Sequence, residues 1–166
     1  MSRSLVLLAT ALLLAGCGRF SMLDAAQQIA YARGCEEVEL SIVQARRAEY
    51  EVLTCGEHAV YRCRDRLCDP LPGARPSELL AREIAAAREA LSLLEDDVMR
   101  CIPDTPRLTV RVRFKTDGRV GSPVHFQPAL EGDDRICVGH ILLRARSRPL
   151  EREMLLSHTF GAASQD

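Results

Sequence analysis

The clearest pattern in this chain is an alternation of apolar and polar residues over positions 108–115. The apolar positions are Leu108, Val110, Val112 and Phe114, and the polar positions between them are Thr109, Arg111, Arg113 and Lys115. Because successive side chains of a strand point to opposite faces, this pattern predicts a β-strand with one buried face. Asp117-Gly118 favours a tight hairpin turn, and a return strand is predicted from Arg119 to about Phe126.

Helical periodicity precedes this hairpin. A helix is predicted from Ser77 to about Arg100, and Pro103 and Pro106 stop it. Its apolar residues recur at helical spacing and form one stripe, which consists of Leu80, Ile84, Ala87, Leu91, Leu94, Val98 and Cys101. We expect this stripe to cover the buried face of the hairpin.

A further helix is predicted after the hairpin, from Asp133 or Asp134 to about Arg146. Its apolar residues are Ile136, Cys137, Ile141 and Leu142. A last strand over 151–160 can pair in antiparallel sense with the first strand of the hairpin. The second half of the chain, residues 77–160, is therefore predicted to be an αββαβ domain with a three-stranded sheet.

The first half begins with a predicted helix that starts at Ser21 or Asp24 and ends at Gly34. An antiparallel β meander follows, because apolar and polar residues alternate in short segments at 37–43, 49–54 and 59–64, with a turn at 44–46.

Three prolines and a glycine within residues 69–76 predict a linker between the two halves. The fold class is thus α+β. A small cysteine-stapled meander over 17–72 precedes the αββαβ domain, and 161–166 form a tail.

The chain contains seven cysteines. Cys101 ends the helical stripe and Cys137 lies on the other covering helix, so we predict a disulfide between them. It closes a loop of about 37 residues, worth roughly 3–4 kcal/mol.

The pairing of the cysteines in the first half depends on the meander. A turn centred on Ala45 would place Cys35 opposite Cys55, and the spacing of Cys63 and Cys68 suits a small closed loop. We predict these two pairs, and an exchange among the four stays open.

The N-terminus has the layout of a secretory signal, with Arg3, an apolar run from Leu5 and then small residues. The run is shorter than the roughly 20 residues that span a bilayer as a helix. Leu14-Ala15-Gly16-Cys17 resembles the bacterial lipobox. The resemblance implies a signal peptide over 1–16 and a lipid on Cys17. Six cysteines then remain, an even number that suits disulfides in an exported chain.

The charge balance excludes a strong overall attraction to nucleic acid, because 22 Lys and Arg stand against 23 Asp and Glu. No nucleophile elbow, phosphate loop or metalloprotease motif occurs in the sequence. The four histidines are His58, His125, His140 and His158, and none lies in a nucleophile or metal pattern. We therefore expect no enzyme, no cofactor, no metal and no nucleic-acid partner.

Two further groups of residues are candidate sites. The alternative to disulfides is a metal-binding or enzymatic cysteine module that uses Cys55, His58, Cys63 and Cys68, although no Cys-x-x-Cys pair occurs. The Arg–Lys row, defined as Arg111, Arg113 and Lys115, lies on the second face of the predicted strand. If helices cover the opposite face, this row faces solvent and can meet an acidic partner. The alternative is a strand kept soluble by its charge.

The second half resembles the C-terminal domain of AgmX/TonB-related envelope proteins. The resemblance rests on Val98-Met99-Arg100-Cys101, the strand 108–114, Asp117-Gly118-Arg119-Val120 and Ile136-Cys137-Val138. In that family a helix ends in a cysteine, a hairpin follows, and a second cysteine lies on the next helix. The resemblance implies a partner-binding envelope fold without catalysis, and a TonB-like transport or gliding accessory protein is an alternative.

These observations predict a non-catalytic lipoprotein of the cell envelope. Its partners would be the membrane, through the N-terminal lipid on Cys17, and an unidentified envelope protein. Gly18 after the lipidated cysteine, by comparison with lipoproteins in general, favours the outer membrane and exposure to the periplasm.

Overall fold

The computed structural model describes residues 21–34, 41–54, 57–64, 67–75 and 77–161, and for 122–124 it describes the backbone alone. The helices in these ranges are α1 (Met22–Arg33), α2 (Glu78–Ser92), α3 (Glu95–Cys101) and α4 (Gly132–Leu142). The strands are β1 (Ser41–Arg46), β2 (Glu49–Thr54), β3 (Glu57–Arg64), β4 (Leu67–Pro70), β5 (Leu108–Phe114), β6 (Val120–Gln127) and β7 (Met154–Phe160). The predicted α+β class is confirmed.

The strands form one antiparallel sheet in the order β4-β3-β2-β1-β7-β5-β6. The three strands predicted for the second half are adjacent in it, and β7 pairs with β5 in the expected antiparallel sense. On the side opposite β5, β7 pairs with β1, so the meander and the second half share one sheet. The predicted domain boundary at 69–76 stays a prediction.

Helices cover both faces of the sheet. On the first face, α2, α3 and α4 enclose a core with the apolar face of β5. The predicted stripe is confirmed, because Leu80, Ile84, Ala87, Leu91 and Val98 are all buried. On the second face, α1 packs Ala25, Ala26, Ile29 and Ala30 against Ile42, Val52 and Leu155. The sheet therefore separates two apolar cores.

The ends of α1 agree with the sequence. The Ser21 side chain accepts a hydrogen bond from the Asp24 backbone N–H, and the Asp24 carboxylate accepts one from the Ser21 N–H, which is a capping box. Gly34 ends the helix in the left-handed conformation, at φ 65°.

Several predicted boundaries are wrong. The turn predicted at 44–46 lies at Arg47 and Ala48, because β1 continues to Arg46 and pairs with β2 in a register centred on residue 47. The helix predicted from Ser77 to Arg100 is broken near Leu93. The acidic residues 95–97 then form the first turn of α3, where negative charge is favourable.

The region after the hairpin also differs from the prediction. The N-cap of α4 is Glu131 rather than Asp133 or Asp134, and the helix ends at Leu142. Ile136 is exposed, whereas Val138 and Leu142 enter the core, because the helix presents the face that contacts α3.

The hairpin turn after β5 is held against the segment that follows α4. The Gly118 carbonyl accepts a hydrogen bond from the Ser147 backbone N–H at 2.9 Å. Gly118 has φ +76°, and a Cβ there would lie 2.3 Å from the Ser147 carbonyl oxygen. The turn thus requires glycine both for its conformation and for this close backbone approach.

We predict that Gly118→Ala destabilises the protein more than Gly73→Ala. Gly73 has a similar φ, +74°, but a Cβ there would contact nothing within 4 Å. The Gly73 variant should lose about 1–2 kcal/mol of unfolding free energy from backbone conformation alone, and the Gly118 variant should lose clearly more. Urea denaturation measures both, and equal losses would contradict the close approach.

Two of the predicted disulfides are present. Cys101 of α3 bonds to Cys137 of α4, with a sequence separation of 36. Cys63 bonds to Cys68, its direct partner across β3 and β4. Cys35 and Cys55 lie outside the described residues, so their pairing stays a prediction. The turn on which that pairing was based is centred on residue 47 rather than on Ala45.

We predict that the two disulfides contribute unequally to stability. The loop closed by Cys101–Cys137 spans 36 positions and that closed by Cys63–Cys68 spans 5. Replacing both cysteines of a pair by alanine should lower the free energy of unfolding by about 3–4 kcal/mol for the first and about 2 kcal/mol for the second. Urea denaturation under oxidising conditions checks the order, and a larger loss at Cys63–Cys68 would contradict it.

Candidate functional site

The three residues of the predicted Arg–Lys row differ in their exposure to solvent. Lys115 is exposed and Arg113 is half-buried, but Arg111 is only 6% exposed. The prediction that the whole row faces solvent is wrong, because this face of the sheet is shared with the core under α1. Leu155, which lies directly opposite Arg113 on β7, belongs to that core.

Arg113 instead lines a cleft together with cations from distant parts of the chain. Arg46 and Arg47 come from the end of β1 and its turn, and Arg152 from the segment before β7. The volume of the cleft is about 650 Å³. We call it the cationic cleft, and its lining residues are Ser21, Met22, Gln44, Ala45, Arg46, Arg47, Arg113, Arg152 and Glu153.

Two carboxylates near the cationic cleft are engaged by other groups, whereas the carboxylate of Glu153 lies in its lining. Glu49, which is opposite Arg46 in the β1–β2 register, accepts hydrogen bonds from Arg62 at 2.6 and 3.2 Å. Asp24 accepts hydrogen bonds from the backbone N–H and the hydroxyl of Ser21, each at 2.7 Å. These two carboxylates therefore do little to neutralise the cleft.

Among the arginines of the cationic cleft, Arg152 forms an ion pair with a described residue. Its guanidinium lies 3.7 Å from the buried carboxylate of Glu51. Glu51 also accepts hydrogen bonds from the Ser77 hydroxyl at 2.9 Å and from the Ser77 backbone N–H at 3.1 Å. Glu51 thereby links the start of α2 to β2 and balances the charge of Arg152.

Three arginines of the cationic cleft form no ion pair within the described part of the chain, namely Arg46, Arg47 and Arg113. The Nε atom of Arg113 is buried and has no hydrogen-bond acceptor there. Glu153 is the acidic residue in the lining. With Arg152 paired to Glu51, the other three guanidinium groups still outnumber this lining carboxylate, so the cleft has an excess of positive charge that can bind an anion. A planar guanidinium suits phosphate or carboxylate.

The predicted cysteine and histidine sites lie elsewhere. The bond between Cys63 and Cys68 removes two thiolates from the alternative zinc site, and Cys55 lies outside the described residues, as does Cys17. Over the ranges that the structure describes, no group of three His, Cys, Asp or Glu side chains is placed to bind a metal. His58 lies near the start of β3.

His158 is packed into the second half of the sheet. Its ring lies edge-on to Phe160, with centroids 4.6 Å apart, and its Nε2 atom is buried without a partner in the described structure. Burial lowers the pKa of His158 below its usual 6.5, Glu95 opposes this shift, and Arg88 lowers the pKa further. The folded protein therefore favours the neutral form of the His158 imidazole.

The comparisons with known proteins return nothing for this chain, since no protein-family model, curated protein or solved structure matches it. Among the helices described, none has the length and apolar character needed to cross a membrane.

Sequence reasoning found one cation of the cleft, Arg113, and missed Arg46, Arg47 and Arg152. The adjacent pair Arg46-Arg47 was a signal, because two arginines between predicted strands must lie near the end of a hairpin. Nothing local connected this pair to Arg152, which is more than 100 residues away in the chain.

We predict that stability decreases as pH falls through about 6.5. The unfolded state takes up a proton at His158 there and the folded state resists it, so the free energy of unfolding decreases toward acid. His158→Gln should reduce the difference in unfolding free energy between pH 7.5 and pH 5.0 in urea denaturation. The control is His140→Gln at an exposed position of α4. An equal reduction in both variants would contradict the assignment.

Proposed function

We propose that this chain is a non-catalytic lipoprotein of the bacterial cell envelope. It is anchored through a lipid on Cys17 and presents a disulfide-stapled α+β module to the periplasm, on the outer membrane. The single observation that carries the proposal is the lipobox-like Leu14-Ala15-Gly16-Cys17 at the end of an apolar leader.

The disulfides support an exported location. Cys63–Cys68 lies within the first half of the chain and Cys101–Cys137 within the second, and such bonds persist in the oxidising periplasm and are rare in the cytosol. If the other six cysteines form the three predicted disulfides, Cys17 is the one of the seven that has no disulfide partner. It is also the cysteine that the lipid would modify.

A binding role for the module is favoured by the cationic cleft. It gathers Arg46, Arg47, Arg113 and Arg152 at one place on a chain whose net charge is only −1. Such a local concentration of positive charge attracts an acidic surface without requiring catalysis. The antiparallel αββαβ arrangement is also compatible with the AgmX/TonB-like partner-binding fold that the sequence resembles.

We predict that Cys17→Ser abolishes the incorporation of labelled palmitate and leaves a precursor that retains Met1. The natural chain should lose residues 1–16 and gain the mass of a lipid, because the modified cysteine becomes the first residue. Cys137→Ala is the matched control and should still be labelled, since Cys137 forms a disulfide with Cys101.

Labelling that persists in the Cys17→Ser variant, or an unmodified natural chain recovered from the cytosol with Met1 in place, would contradict the proposal. The mass of the natural protein before and after reduction gives the number of disulfides in the same experiment.

A further inference from the structure

We propose that the cationic cleft binds the anionic phospholipid headgroups of the membrane that carries the lipid anchor. This proposal rests on the lipidation of Cys17 proposed above. It assigns a ligand class to a site that the sequence singled out only in part, through Arg113.

The charge of the cleft suits a phosphodiester. Arg46 and Arg47 are exposed, and together with Arg113 they have no ion pair in the described structure. The nearby carboxylates of Glu49 and Asp24 are engaged by other groups, and Glu153 in the lining offsets one of the three positive charges. A headgroup phosphate carries negative charge and accepts hydrogen bonds from guanidinium groups, which makes it a complementary ligand.

The position of the cleft in the chain favours a membrane over a soluble anion. Ser21 and Met22 line the cleft, and Ser21 is four positions from Cys17. Four residues span at most about 14 Å when fully extended. A lipid on Cys17 would therefore hold Ser21, in the lining of the cleft, within that distance of the membrane interface.

The short tether favours lipid headgroups over soluble anions as the ligand of the cleft. The surface potential of an anionic leaflet extends over a Debye length, about 8 Å at physiological ionic strength. Because the tether keeps the cleft close to that layer, headgroups are present at a far higher effective concentration than an acidic segment of a freely diffusing protein. We therefore assign the cleft to headgroups, and an acidic protein segment becomes an alternative outcome of the test.

The experiment uses the full mature chain with its natural lipid, extracted in detergent and reconstituted into vesicles. One set of vesicles contains phosphatidylcholine alone, and the other contains 30% phosphatidylglycerol. Hydrogen exchange is measured over residues 44–48, most of which line the cleft, and over 82–92 on α2 as a reference. Two further arms add inorganic phosphate or an oligoglutamate peptide to the neutral vesicles.

We expect exchange over 44–48 to be roughly five-fold slower in phosphatidylglycerol vesicles than in neutral ones, with no change over 82–92. Arg46→Gln combined with Arg47→Gln should abolish the difference. The matched control replaces Arg82 and Arg148, which are exposed away from the cationic cleft, by glutamine and should retain it. Both variants change the net charge by the same amount, so an effect of overall charge would appear in each.

The remaining outcomes overturn the proposal. Equal exchange in both vesicles shows that the cleft does not bind headgroups, and equal slowing by phosphate or by the acidic peptide in neutral vesicles assigns it to those ligands. Loss of the difference in the control variant shows a non-specific charge effect.

Flotation of the vesicles separates the two proposals. A chain that floats without slowed exchange is lipidated but lacks this site, and a chain that does not float contradicts the lipid anchor and this inference with it.

Discussion

The pairing of β1 with β7 is the interaction on which the rest of the structure depends. Ile42 pairs with Leu155 and Val43 with Met154. Because neighbouring residues of a strand point to opposite faces, Val43 and Met154 enter the core under α2 to α4, whereas Ile42 and Leu155 enter the core under α1. This short ladder therefore completes both cores at once.

The same ladder assembles the cationic cleft. It aligns the C-terminal end of β1 with the N-terminal end of β7, and this brings Arg46 and Arg47 beside Arg152. Arg113 joins them because β5 pairs with the other side of β7 and places Arg113 opposite Leu155. The candidate site thus consists of residues from both halves of the chain and exists only while the halves share one sheet.

The elements of the second half could be predicted because their signals are local. Alternation over 108–115 and the helical stripe from Leu80 depend on residues within a few positions of each other. The edge strand β4 was missed because it is short and contains Pro70, which resembles a linker in sequence. The bend near Leu93 was missed because the apolar stripe continues through it and so hides the interruption.

The site was harder to predict, for a physical reason. Alternation gives the two faces of a strand, but it does not say which element covers the second face or which strand completes its hydrogen bonds. Arg111 was therefore expected in solvent although it is buried, and Arg152 had no visible relation to Arg46. Both depend on contacts between residues far apart in sequence, which local periodicity does not encode.

The most direct test of the central claim is a backbone NMR measurement on the folded chain. The ladder predicts cross-strand NOEs between β1 and β7 at Ser41–Leu156, Ile42–Leu155 and Val43–Met154. It also predicts that the hydrogen-bonded amides of this ladder exchange as slowly as those between β5 and β7. The absence of these NOEs, together with fast exchange on the β1 side of β7 while the β5 side stays protected, would contradict the account.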